Sequence, residues 1–222
     1  MAVFKVAGDN LLDRIQDAHS LLTIIKANEE QRSNEEENKI FKGLFYVVLY
    51  GAIERCLVDC VSICINHLNS LMLKVEDVRP ELWALTFDPD CTRIEQNSNS
   101  KKWGNRNQLF VQLYGDKTLP SISEILFPTS IGNIKMEQVA GIWRTFGIKD
   151  PPNPDITKGY DQTLSNVAEY RMQIAHGRST AAEIGAHCTS SDMQKTLEKI
   201  DYYCNYVITS FENYVTNKDY RR

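Results

Sequence analysis

What this sequence lacks narrows the field first. No uninterrupted apolar run is long enough to span a membrane. The best stretch, residues 44–65, is broken by Glu54, Arg55 and Asp59, whereas a span takes about 20 largely apolar residues. The opening residues carry too short an apolar run for a secretory signal. There is no surplus of basic charge. The 25 Lys and Arg are outnumbered by 29 Asp and Glu, for a net charge of −4. That balance argues against a protein that coats nucleic acid non-specifically, but leaves room for a local basic cleft. No Cys and His stand paired at the spacing of a zinc site. No glycine-rich phosphate loop is present, and no carboxylate cluster suits a hard metal ion. Neither a metal nor a cofactor is therefore expected. No internal repeat is evident.

Cysteine is present in modest number, and its placement is informative. Three of the six cysteines, Cys56, Cys60 and Cys64, stand four residues apart. On a helix they form one stripe, with neighbouring Cα atoms about 6 Å apart. They read as small apolar side chains at a tight helix crossing. Consecutive turns of one helix place sulfurs poorly for bonding, so reduced thiols and a cytoplasmic setting are expected.

The 222 residues suffice for one good core and are short for two; one domain spanning 1–222 is expected. A first helix is predicted over 9–27, with Asp9 as N-cap and Leu11, Leu12, Ile15, Ala18, Leu22 and Ile25 on its apolar face. A second opens on a capping box, Ser33 with Glu36, and runs to about residue 73. Gly43 and Gly51 share a face of it, where another helix can approach closely. Residues 75–155 read as an irregular insertion packed on the long helices. It includes a helix start at Pro80, a polar loop over 97–102, and short helices near 108–114, 122–127 and 135–146, the last ended by Gly147. Residues 150–155 form a stiff, proline-rich connector. A third long helix is predicted over 157–176, a loop over 177–188, and a last helix from Thr189. Its apolar positions Met193, Leu197, Ile200, Cys204, Val207, Phe211 and Tyr214 step 4-3-4-3-4-3, the seam of helix-on-helix packing. The expected class is all-α, a bundle of long antiparallel helices with an irregular helical insertion.

The chemistry concentrates near residue 171. Of four histidines, His67 lies on the apolar second helix and reads as a packing residue with a satisfied ring nitrogen. His176 has telling neighbours: Arg171 stands five residues before it, and Gly177 and Arg178 follow. A second Arg-x4-His pair, Arg14 and His19, has no such setting and reads as a decoy.

The string R-x-x-I-A-H-G over residues 171–177 resembles the HEPN superfamily, and within it the MAE-type or RiboL-PSP-type branch. Its ribonuclease members carry R-x(4–6)-H at the end of a helix. A long first-half helix with a central glutamate, here Glu54, is also similar to the family. So is the helix over 135–148, ending in a Phe-Gly turn ahead of the motif helix. The resemblance implies a HEPN-like helical bundle and a homodimer in which two arginines and two histidines share one cleft. It also implies RNA as the substrate of a toxin or defence effector, with a cognate antitoxin or other defence-system protein as a further partner. One position departs: active members carry a polar residue, often Asn, after the arginine, and here it is Met172. On a helix that position lies one turn from His176, where a polar group would orient the imidazole. Gln173 is the polar side chain that stands in for it.

The residues support that chemistry independently of the name. RNA cleavage by its own 2′-hydroxyl needs a base, an acid, and a cation to stabilise charge on phosphorus. Histidine serves as acid or base near neutrality, and arginine grips phosphate oxygens in a fork. Arg171 and His176 are about 140° apart on an ideal helix, and one histidine is short of an acid plus a base. Two chains packed end to end would cure both defects. Arg178 reads either as a phosphate contact at the rim or as a solvated loop charge. Glu54 reads either as the group that holds Arg171 or as the partner of a neighbouring lysine. Two other functions stand beside the nuclease: a non-catalytic HEPN module for dimerisation or partner binding, and a nucleotide-binding accessory subunit, which the missing phosphate loop disfavours.

Overall fold

A computed structural model of the chain describes residues 3–114, 117–123, 134, 136–148 and 154–222. Among the described residues are nine α-helices: α1 (Lys5–Gln31), α2 (Glu35–Ser70), α3 (Trp83–Thr86), α4 (Asp88–Gln96), α5 (Asn99–Leu113), α6 (Met136–Phe146), α7 (Pro154–Ala175), α8 (Ala181–Ala186) and α9 (Ser190–Thr216). The described residues form no strand, only the isolated bridges Lys74–Thr118 and Val78–Arg221. The fold is all-α, as the patterning predicted. None of the described helices is long and apolar enough to cross a membrane.

Helices α1, α2 and α9 pack on one another and carry the core. The face of α1 is Ala7, Leu11, Ile15, Ala18, Leu22 and Ile25, all buried. Leu12, expected on that face, is 56% exposed; it sits one residue, about 100°, off the row. Helix α1 also starts earlier than predicted. Phe4 and Ala7 are buried, so burial extends the helix past Asp9, which pairs with Lys5 one turn back instead of capping. The helix then runs on to Gln31 and leaves three residues, 32–34, for the reversal into α2. Arg32 and Asn34 adopt the left-handed region, with φ of 48° and 51°. That tight turn removes Ser33 from N-cap geometry, and α2 starts after Asn34 with no side-chain cap bond.

The cysteine stripe is buried as expected. It faces α9, where the Cys56 thiol donates to the Cys204 carbonyl at 3.5 Å. Every residue of the predicted 4-3 seam on α9 is buried. Polar links also join α1 to α2: the buried Asp59 accepts from Asn10 at 2.8 Å and pairs with Arg55 at 3.0 Å, the buried Asn38 donates to the Ile25 carbonyl at 3.2 Å, and Lys42 pairs with Glu29 at 2.7 Å.

Between the long helices, Pro80 opens a short 3-10 turn as its fixed φ favours. The polar stretch predicted as a loop over 97–102 is largely helix, because α5 begins at Asn99. Solvated Ser, Asn and Lys cost a helix little when no core position is demanded of them, and none of the α4 residues is buried. Helix α6 ends at Gly147, whose φ of +66° suits glycine. Val78, Leu82, Leu85, Ile122, Ile134, Val139, Ile142, Trp143 and Phe146 join the same apolar cluster as the long helices. Of the helix predicted over 122–127, residues 124–127 lie outside the described residues, as do 150–153 of the connector.

The loop predicted over 177–188 contains α8. A capping box builds it: the Thr180 hydroxyl accepts from the Glu183 N–H at 3.1 Å, and the Glu183 carboxylate accepts from the Thr180 N–H at 2.7 Å. Helix α8 lies main chain against main chain on α2. A Cβ at Gly43 would stand 2.0 Å from the Ala181 carbonyl oxygen, and one at Gly185 would stand 1.9 Å from that of Lys39. Gly43 thus permits the close approach that its place in α2 suggested. Gly51 does not, as nothing lies within 4 Å of a Cβ there.

Candidate active site

Helix α7 is seated on α2 by aromatic contacts. Helix α2 offers Tyr46, Tyr50 and Glu54, each four residues from the last and so on one face. Tyr170 meets Tyr46 edge to face, with ring centroids 4.8 Å apart. The next residue, Arg171, lays its guanidinium over the Tyr50 ring, 4.8 Å from the centroid. Tyr50 is only 2% exposed, and its hydroxyl accepts from the Ile134 N–H at 3.0 Å. Burial pushes the Tyr50 hydroxyl above its ordinary pKa. The charge of Glu54 adds to that rise and that of Arg171 opposes it, so both charges act on one ring.

Arg171 is half-buried. Beyond the ring contact, its guanidinium makes no ion pair or hydrogen bond with a described residue. Glu54 is also half-buried, and it pairs neither with Arg171 nor with a lysine among the described residues. A permanently charged fork is therefore held on an aromatic surface, with no partner for its donors among the described residues.

Helix α7 ends in a Schellman motif. The Gly177 N–H donates to Ile174 O at 3.1 Å, and the Arg178 N–H donates to Gln173 O at 2.9 Å. Gly177 has a φ of +64°, which only glycine adopts at no steric cost. His176 is the last residue before this reversal, and residues 175–178 are all exposed. The imidazole and the Arg178 guanidinium thus face solvent beyond the helix end.

The Gln173 side chain is committed elsewhere. Its amide donates to Glu169 at 3.0 Å and accepts from the Ser179 hydroxyl at 3.5 Å, which ties the helix to the following loop. Met172 is half-buried, and its carbonyl accepts the His176 N–H at 3.0 Å. Within one chain, Arg171 faces α2 and His176 faces solvent, so the structure does not join them as a pair.

The other histidine candidates sit differently. Arg14 and His19 are both exposed along the middle of α1, and Arg14 shares a surface hollow with Asp13 and Asp17. His67 packs edge to face on Tyr220, centroids 6.4 Å apart, and burial lowers its pKa. Its ring finds no hydrogen-bond partner among the described residues, contrary to expectation.

Sequence reasoning missed Tyr50, although its place one turn before Glu54 was available as a signal. It also missed α8, for which Thr180 and Glu183 spell a capping box.

No curated protein and no solved structure gives a match. The family described as MAE_28990-like HEPN matches residues 9–220, which takes in α7, the Schellman turn and nearly everything else. The chain belongs to this HEPN family.

Proposed function

We propose that the chain is a metal-independent endoribonuclease, a toxin or defence effector, whose site is completed when two copies meet in a two-fold dimer. The observation that carries this reading is Arg171. A half-buried guanidinium with no acidic partner among the described residues is poised for an anion. An exposed histidine stands at the end of the same helix.

In the reaction, the 2′-oxygen of one nucleotide attacks its own 3′-phosphorus. One His176 takes the 2′-hydroxyl proton, and the second, from the partner chain, protonates the departing 5′-oxygen. The two copies of Arg171 stabilise the charge that builds on the phosphoryl oxygens. The products end in 2′,3′-cyclic phosphate and 5′-hydroxyl. The exposed run 175–178 leaves the helix end open to a second chain, and Arg178 supplies a further phosphate contact at its rim.

The test is cleavage of mixed RNAs in EDTA by the wild type beside an Arg171→Ala, His176→Ala double variant. Cyclic-phosphate ends from the wild type alone support the reading; a need for a divalent metal, or full activity from a strict monomer, overturns it. Mixing Arg171→Ala chains with His176→Ala chains tests sharing, since regained activity requires a composite site.

A second reading is a non-catalytic HEPN module for dimerisation or partner binding. Met172 and the committed Gln173 favour it, because neither side chain steadies the imidazole. A dimer inactive on every RNA tried selects this reading.

A further inference from the structure

We infer that α5 is a stacking platform for single-stranded RNA, with bases on Trp103, Phe110 and Tyr114 and phosphates on Lys102 and Arg106. None of residues 100–113 is buried. Trp103 is 74% exposed, Phe110 64% and Tyr114 88%, the last at the helix C-cap. At 100° per residue these three fall within about 40° of one another, in a row along the axis. Their steps along that axis are about 10 Å and 6 Å. The row is not a vacant core position, because α5 packs chiefly on α4, and α4 has no buried residue either.

Charge selects the occupant. Residues 99–114 hold Lys101, Lys102 and Arg106 and no Asp or Glu, in a chain of net charge −4. Arg106 and Lys102 flank the row on one side, and Arg106 already lies over the Trp103 ring at 5.1 Å. A second copy of α5 laid on the row would bring like charges together. A phosphate backbone meets them with the opposite sign, and every base has a flat face for an aromatic ring. Paired bases cannot reach the row, because they are already stacked and the deep groove of an RNA helix excludes side chains. That the strand is RNA rather than DNA rests on the ribonuclease reading. The platform would supply affinity and strand choice at a distance from Arg171.

The test uses the full chain and a 2′-O-methyl oligoribonucleotide, which lacks the attacking hydroxyl and so reports binding without cleavage. Anisotropy gives affinity, and quenching of tryptophan fluorescence reports stacking on Trp103. Each of Trp103→Ala, Phe110→Ala and Tyr114→Ala is expected to weaken binding about tenfold, and the triple variant more than about a hundredfold. Trp103→Phe keeps most of the affinity. Removing Lys102 and Arg106 as glutamines lowers the slope of log affinity against log salt by about 1.4, at roughly 0.7 per phosphate. The three aromatic rings and Arg106 are exposed and Lys102 is half-buried, so an unchanged thermal transition is expected to accompany each loss. Affinity unchanged in the triple variant, equal affinity for a duplex, or no RNA binding at all overturns the platform. Conversion of a dimer to a monomer with RNA affinity intact also overturns it and assigns the row to contact between copies. If the wild type binds through α5 yet cleaves no RNA, the platform stands and the ribonuclease reading falls. Cleavage with binding untouched by the triple variant gives the reverse.

Discussion

The chain holds two Arg-x4-His pairs, and their difference lies in their surroundings. On α1, Arg14 and His19 occupy the middle of a long helix, both in solvent, with carboxylates beside the arginine. On α7, Arg171 is drawn down onto the buried Tyr50 ring, and His176 is delivered to the point where the helix reverses. A solvated arginine among acids is surrounded by water and by charges of opposite sign, which compete with any bound anion. An arginine on an aromatic face, with no carboxylate paired to it among the described residues, has a fork that an anion could take. Spacing alone does not distinguish the two; the aromatic platform and the glycine reversal do.

The largest expected effect breaks or secures this contrast directly. His176→Ala should lower RNA cleavage in EDTA by about 10²–10⁴-fold, the usual worth of a general acid or base, while His19→Ala leaves it unchanged. A loss at His19 with the fold preserved would assign the activity to the wrong helix.

Next in size is the platform beneath Arg171. Tyr50→Ala should destabilise the protein by about 3–5 kcal/mol, since it empties a large aromatic site in the core. Tyr50→Phe should cost about 1 kcal/mol, the worth of a hydrogen bond, and keep both the ring under Arg171 and the activity. Denaturant midpoints and cleavage rates measured together separate the two. Equal loss of activity in both variants would mean that the hydroxyl, not the ring, serves Arg171.

A smaller effect tests what anchors the loop after His176. Gly43→Ala places a methyl carbon where the Ala181 carbonyl oxygen stands and should cost about 1–3 kcal/mol. Gly51→Ala, with open space around it, should be neutral or stabilising by up to about 1 kcal/mol. Thermal denaturation of the pair reads this, and equal shifts would refute the close packing.

The smallest effect lies in the capping box of α8. Thr180→Ala should cost about 1 kcal/mol. Its partner Glu183 has its carboxyl held below the ordinary value, first by the Thr180 backbone N–H and then by the hydroxyl. The folded state therefore favours the ionised form. That stabilisation is fully present above the ordinary carboxylate pKa and is lost as pH falls through the lowered one. Glu183→Gln should accordingly be less stable than wild type at neutral pH and indistinguishable from it in acid.

Much of the architecture was legible in the pattern of apolar residues. The buried faces of α1 and α9 and the cysteine stripe follow from periods of three and four, because burial is what those periods encode. Helix ends were less legible. Asp9 and Ser33 both look like caps, but continued burial at Phe4 and Ala7 and a three-residue reversal at 32–34 overrode them. Local side-chain preferences of about 1 kcal/mol lose to such packing. Helix α5 hid in a polar stretch because nothing in it needs burial. At the site, the positions of Arg171, His176 and Gly177 could be read directly. What Arg171 rests on could not, since Tyr50 is more than a hundred residues away in sequence and meets it only through the seating of α7 on α2. For the same reason, the commitment of Gln173 to Glu169 and Ser179 is visible only once the loop is folded.

The contact between α8 and α2 has a mechanical consequence. Gly43 and Gly185 leave no side chain between the two backbones at these points, so the helices mesh like a key in its slot. A sliding motion would have to lift α8 off α2 before it could advance. The segment 177–180 is thus strung between two fixed posts, the end of α7 and the start of α8. The N–H groups of Arg178 and Ser179 also reach back to the Gln173 carbonyl, at 2.9 and 3.3 Å, so the arc that carries Arg178 is pinned between the posts as well as at them.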